Sequence, residues 1–108
     1  MPQPPHDDVR GFLPDGEGLR LYEWALETAV MGPILEIGSY CGRSTIWLAQ
    51  AAKEKQSLVF AVDHHRGSEE HQPGESHHDT ELADAKGDVD TLTMSRRNIR
   101  LAGLENEV

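Results

Sequence analysis

Ile34-Leu35-Glu36-Ile37-Gly38-Ser39-Tyr40-Cys41-Gly42-Arg43-Ser44 is the stretch that decides the fold. A short apolar run delivers Glu36 and breaks at Gly38. Gly42 follows, and a helical pattern starts at once with Ser44-Thr45-Ile46-Trp47-Leu48-Ala49. Strand, glycine loop and helix in that order make the first half of a nucleotide-binding βαβ unit. A second apolar run, Leu58-Val59-Phe60-Ala61-Val62, ends on Asp63. A carboxylate about 20 residues beyond such a loop is placed to hold a ribose. The loop and the distal acid are informative together; either alone would say little.

Working outward, residues 15–30 are helical in pattern, because Leu19, Tyr22, Ala25, Leu26 and Ala29 recur at spacings of three and four. Asp15 reads as the N-cap and Gly32-Pro33 as the stop. The spacing predicts a first strand over 34–38, a helix over 43–55 and a second strand over 57–62. Residues 63–87 form a long polar loop dominated by histidine, acid and glycine, with a short helical turn expected near 80–85. Asp88 then reads as an N-cap for a helix through Leu101, with Val89, Leu92, Ile99 and the stem of Arg96 facing inward. Gly103 sits where a C′ glycine belongs, and residues 104–108 read as the approach to a third strand. Residues 1–11 carry Pro2, Pro4 and Pro5 and little apolar mass, so they are expected to form a mobile arm. The fold class is α/β and Rossmann-like, with 12–108 the N-terminal part of a cofactor-binding domain. Its sheet would be incomplete, leaving strand one an open apolar edge. We expect that edge to be covered by the rest of a larger domain, by a second copy or by another partner.

Composition narrows the function classes. A formal net charge of −9, with Lys and Arg scattered, argues against a nucleic-acid partner, since phosphate-backbone binding needs a clustered basic face. No apolar run approaches the roughly 20 residues that span a bilayer, so no membrane partner is expected. The N-terminus has neither a basic n-region nor an apolar h-region, and the single cysteine fits a reducing compartment. The expected location is cytoplasmic.

Which ligand suits the loop follows from its side chains. A pyrophosphate fingerprint wants glycine at the second loop position, where the backbone approaches the phosphates. Tyr40 stands there, and Glu36 adds negative charge nearby. A ligand bearing an amino acid fits better. Glu36 can accept from an ammonium, the helix N-terminus can offer N–H groups to a carboxylate, and Asp63 can take both ribose hydroxyls. S-adenosylmethionine carries all three groups, and these features favour it over NAD.

The same residues carry a family resemblance. Glu36-Ile37-Gly38-Ser39-Tyr40-Cys41-Gly42-Arg43-Ser44 resembles the first motif of class I S-adenosylmethionine-dependent methyltransferases, most closely that of catechol-type O-methyltransferases. Residues 98–104 resemble the helix end before that family's third strand, and Asp63-His64-His65-Arg66-Gly67-Ser68 resembles the post-strand-two loop of a bacterial branch. The resemblance implies a methyltransferase acting on the oxygen of a small-molecule acceptor. It implies cofactor contacts from Glu36, Gly38, Ser39, Tyr40, Gly42 and Ser44 at the methionine end and from Asp63 and His64 at the ribose side. Catechol-type enzymes more often carry glutamate where Asp63 stands. The family's metal ligands and acceptor pocket belong to the second half of the fold, so no metal ligand and no catalytic residue is assigned within 1–108. A divalent metal would have to be held from outside this chain. The reading from a different class is a non-catalytic or truncated module that binds a nucleotide or a partner.

Other residues have plainer readings. Cys41 has no paired base in sequence reach and reads as a small packing residue rather than a nucleophile. Trp24 and Trp47 read as core or helix–sheet packing. His64, His65, His71, His77 and His78 lie among Glu69, Glu70, Glu75 and Asp79, but without ligand spacing on one face. A solvated loop over the cleft mouth is the better expectation, with Arg66 meeting water.

Overall fold

The computed structural model describes residues 2–66 and 91–108. Helix α1 covers Asp15–Thr28, and Pro14 holds its N-cap position with φ −64°. The N-cap therefore falls one residue before the expected Asp15. Proline supplies the fixed φ, while Asp15 and Glu17 place negative charge in the first turn, where the helix dipole favours it. Tyr22 and Ala25 are buried on one face, and Leu19 and Leu26 pack beside them. The last turn tightens into a 3₁₀ segment, Ala29–Met31, before Gly32.

Strands β1, Ile34–Ile37, and β2, Val59–Val62, form a two-stranded parallel sheet, with helix α2, Arg43–Glu54, as the crossover. Ile34 faces Val59 and Ile37 faces Val62. Strand β2 begins later than the expected residue 57. Gln56 adopts φ +55° and the Ser57 N–H returns to Ala52 O at 2.7 Å, so these residues close the helix instead of extending the strand.

Alternation along the strands sorts the side chains into two faces. Val59 and Ile34 belong to the core with α2. Leu35, Ile37, Phe60 and Val62 are 55–80% exposed, and nothing among the described residues covers them. The apolar surface left open is thus a whole sheet face and not only the edge of β1.

Helix α3 covers Leu92–Leu101. An N-cap at Asp88 would start it earlier, but Thr91 stands at the N-cap position; Asp88 and Val89 lie outside the described residues. Its inward face is Ser95, Asn98 and Ile99, whereas Leu92 and Arg96 are exposed, which corrects the expected set. Asn98 faces inward because its Nδ2 donates to Cys41 O in the glycine loop, and Ser95 lies beside Gly42. The helix ends as the glycine predicts. Gly103 takes φ +74°, its N–H donates to Arg100 O at 2.9 Å, and the Leu104 N–H donates to Ile99 O at 3.0 Å. This is a Schellman motif with Leu104 buried against the core. The Glu107 carbonyl then accepts from the Val59 N–H at 2.6 Å. Leu58 O accepts from Ile34 N on the β1 side, so the 104–108 segment reaches the opposite edge of β2.

The core runs between α1, α2 and the inner sheet face. Trp47 is its largest fully buried side chain. It lies against Gly18: a Cβ there would stand 2.0 Å from the Trp47 indole nitrogen. Trp24, expected to pack, is instead exposed, with the Arg20 guanidinium 5.4 Å from its ring centroid. Residues 2–11, expected as a mobile arm, lie against the body: Val9 is buried in the core and Gln3 exchanges hydrogen bonds with Gln50. Pro5 is buried as well. No helix among the described residues is long and apolar enough to cross a membrane.

Candidate functional site

The site is a turn and an acid brought together by the parallel pairing of β1 and β2. The ladder continues one residue past β1, with the Gly38 N–H donating to Val62 O at 2.8 Å. Both strands therefore end at the same level, and the glycine loop and Asp63 lie side by side. Gly38 has φ +87° and Gly42, at the N-cap of α2, has φ +95°; β-carbon sterics penalise both values in other residues. A Cβ built on Gly38 would meet nothing within 4 Å among the described residues. Tyr40, between them, is also left-handed at φ +50°.

Asp63 reads the loop directly. Its Oδ2 accepts the Tyr40 N–H at 2.8 Å and its Oδ1 accepts the His65 N–H at 2.9 Å. Partial burial alone would raise the Asp63 carboxyl. The backbone donors of His65 and Tyr40, with the charges of His65 and His64, outweigh it and hold the pKa below its ordinary value. Each carboxylate oxygen keeps a further acceptor site.

Glu36 faces α2. Its two oxygens accept the hydroxyls of Ser44 and Thr45, in the first turn of the helix. Gly42 has no side chain to cap α2, and this strand carboxylate supplies negative charge at the helix start instead. Ser44 is thus tied to Glu36. Ser39 is 2% exposed, and its Oγ has no hydrogen-bond partner among the described residues. A buried hydroxyl of this kind fits a loop whose remaining partner comes from a ligand. Cys41 is fully buried, as a packing residue would be.

His64 is exposed, and its Nδ1 accepts the Arg66 N–H at 2.9 Å, so it stands beside Asp63 rather than within the loop. His65 takes φ +60°. Its carbonyl accepts the Thr91 N–H at 2.9 Å and its Nδ1 lies 2.7 Å from Thr91 Oγ1, which fastens the β2 loop to the start of α3. His71, His77 and His78, with Glu69, Glu70, Glu75 and Asp79, lie outside the described residues. Among the described residues no group of three metal-type side chains assembles.

Three supporting residues escaped the sequence reading. Asn98 Nδ2 donates to Cys41 O at 2.9 Å in a buried bond that fixes α3 to the loop. Thr91 closes the His65 clasp. Arg43 spreads its guanidinium over residues 9–15. Asn98 and Arg43 appeared there only as members of the 98–104 and 36–44 segments, with no role of their own.

This arrangement of β1, glycine loop, α2 and acid-tipped β2 coincides with a family match. Residues 35–106 match the family model of a methyltransferase domain. The chain belongs to that family. Methyltransferase-domain membership covers β1 through the cap of α3, while α1 and the N-terminal segment precede the matched residues. The α/β fold with its parallel strand pair is the corresponding part of a Rossmann-like methyltransferase fold.

Proposed function

We propose that this chain is the cofactor-binding part of a class I S-adenosylmethionine-dependent methyltransferase acting on an oxygen of a small-molecule acceptor. The observation that carries the reading is the bond from the Tyr40 N–H to Asp63 Oδ2, beside open space at Gly38. It joins the loop to the acid. The likeness of residues 36–44 to the catechol-type motif supports transfer to oxygen.

When bound, S-adenosylmethionine supplies a methyl group on a sulfonium. Asp63 would hold the ribose hydroxyls through its remaining acceptor sites. The loop of Gly38, Ser39, Tyr40 and Gly42 would hold the aminobutyrate end, with the Ser39 hydroxyl as a donor to it. Glu36 and Ser44 shape that end by pinning the start of α2, and Glu36 keeps acceptor capacity for the ammonium. His64 borders the ribose side. Rate in such transfers comes mainly from alignment of acceptor and methyl group, and a rigid loop serves that. No described residue stands as a general base.

Calorimetric titration with S-adenosylhomocysteine, in competition with NAD, tests the reading. We expect the former to bind and NAD to leave its isotherm unchanged; preferred binding of NAD would turn the assignment to an oxidoreductase. Labelled methyl transfer to a panel of hydroxylated acceptors then tests catalysis. One observation favours a second reading, a module that binds a partner: the open face of Leu35, Ile37, Phe60 and Val62. Light scattering that shows self-association, without cofactor binding, would favour it.

A further inference from the structure

Arg43 is the first residue of α2, directly after Gly42, and its guanidinium is wholly engaged with the N-terminal segment. Nε donates to Leu13 O at 2.8 Å, Nη1 to Val9 O at 3.1 Å, and Nη2 pairs with Asp15 Oδ1 at 2.9 Å. A planar fork with several donors can serve all three acceptors at once; a lysine ammonium lacks that geometry. Gly11 lets the segment close onto the arginine stem, since a Cβ there would fall 3.1 Å from Arg43 Cβ. Val9 anchors one end in the core and α1 anchors the other.

Between these anchors the ring of Phe12 stacks on the ring of Tyr40, with centroids 6.1 Å apart and planes at 24°. Tyr40 is the loop residue whose N–H reaches Asp63. It does so at φ +50°, a backbone state that a residue other than glycine keeps only when its surroundings enforce it. Asp63 enforces it from one side. The stacked Phe12 is a second restraint, on the ring.

We propose that Arg43 is a positioning residue for the cofactor cleft: it straps residues 9–15 against the glycine loop so that Phe12 braces Tyr40 in the conformation that presents its N–H to Asp63. Residues 9–15 of the strap precede the residues matched by the methyltransferase family model, whereas Tyr40 and Arg43 lie within them. The inference rests on the cofactor reading above.

The test is a double-mutant cycle on the full chain. S-adenosylhomocysteine is titrated against the wild type, Arg43→Met, Phe12→Ala and the double variant. Trypsin cleavage after Arg10, followed by mass spectrometry, reports release of the strap without any ligand. Each single variant is expected to weaken binding roughly tenfold, the size of coupling usual for residues in one network, and the double variant no further. Arg43→Met is also expected to speed cleavage after Arg10. Affinity in Arg43→Met equal to wild type, effects that simply add, or an unchanged cleavage rate would overturn the strap. Failure of the wild type itself to bind would overturn the cofactor reading instead. Where Arg43→Met does not fold, Phe12→Ala alone decides, since that side chain is largely exposed; unchanged affinity in it overturns the proposal.

Discussion

The backbone N–H of Tyr40 donates to the carboxylate of Asp63 at 2.8 Å, across 23 residues of sequence. The glycine loop is therefore tied to the tip of β2. Loop and acid are one unit, and a change at either is felt by both.

Replacing Asp63 with alanine should show this coupling. Affinity for S-adenosylhomocysteine is expected to fall by about 1–3 kcal/mol, because the ribose bonds go and the Tyr40 N–H loses its acceptor. Calorimetry measures it. An unaltered dissociation constant would remove Asp63 from the site.

The same carboxylate sets an acid limit on stability. Its pKa is lowered in the folded chain, so the unfolded state binds the proton more readily. Its contribution is fully present above the unfolded pKa and is lost as pH falls through the folded one. Melting temperature should thus decline in acid, and Asp63→Asn should flatten that decline. Parallel curves for the two proteins would contradict the linkage.

Tyr22 sets a limit at the other end. Its hydroxyl donates to Glu54, and that bond, aided by burial and by the Glu54 charge, raises its pKa from 10.0 to about 12. A raised pKa stabilises the fold below the unfolded value and loses that contribution as pH rises through the folded one. Denaturant midpoints should fall between about pH 10 and 12, following the two pKa values. Tyr22→Phe should lack this step.

Glu36 binds the start of α2 through Ser44 and Thr45. Glu36→Ala strands two hydroxyls, one of them fully buried, and should cost about 1–3 kcal/mol of stability. Urea unfolding reads the loss. A neutral result would mean that water replaces the carboxylate without penalty.

Gly18 is required by a neighbour and not by its backbone. A Cβ would stand 2.0 Å from the Trp47 nitrogen, so Gly18→Ala must displace a core indole. The expected cost is about 1–3 kcal/mol, against a gain if helix propensity alone governed. Thermal melting distinguishes the sign.

Much of this was legible in the residues. The order of strand, loop, helix, strand and acid follows from local periodicity and from glycines placed where positive φ is needed, so β1, α2 and Gly103 fall close to where expected and Asp63 follows β2, which starts two residues late. The departures have tertiary causes. Trp24 pairs with Arg20 in solvent although its apolarity suggests burial, and Val9 seats a segment whose composition reads as an arm. Asn98 bonds across 57 residues to Cys41 O, and Arg43 across 30 to Leu13 O. No spacing rule within one element can announce such partners.

The sequence by itself determined the βαβ order and the chemistry of its two ends, because these depend on side-chain alternation and on backbone conformations that few residues adopt. Only the tertiary structure decided which groups meet at the end of the sheet: Asn98 on Cys41, Thr91 on His65, Phe12 on Tyr40, and Arg43 on residues 9–15. Those contacts join elements far apart in the chain, and they exist only once packing has brought the helices to the end of the sheet.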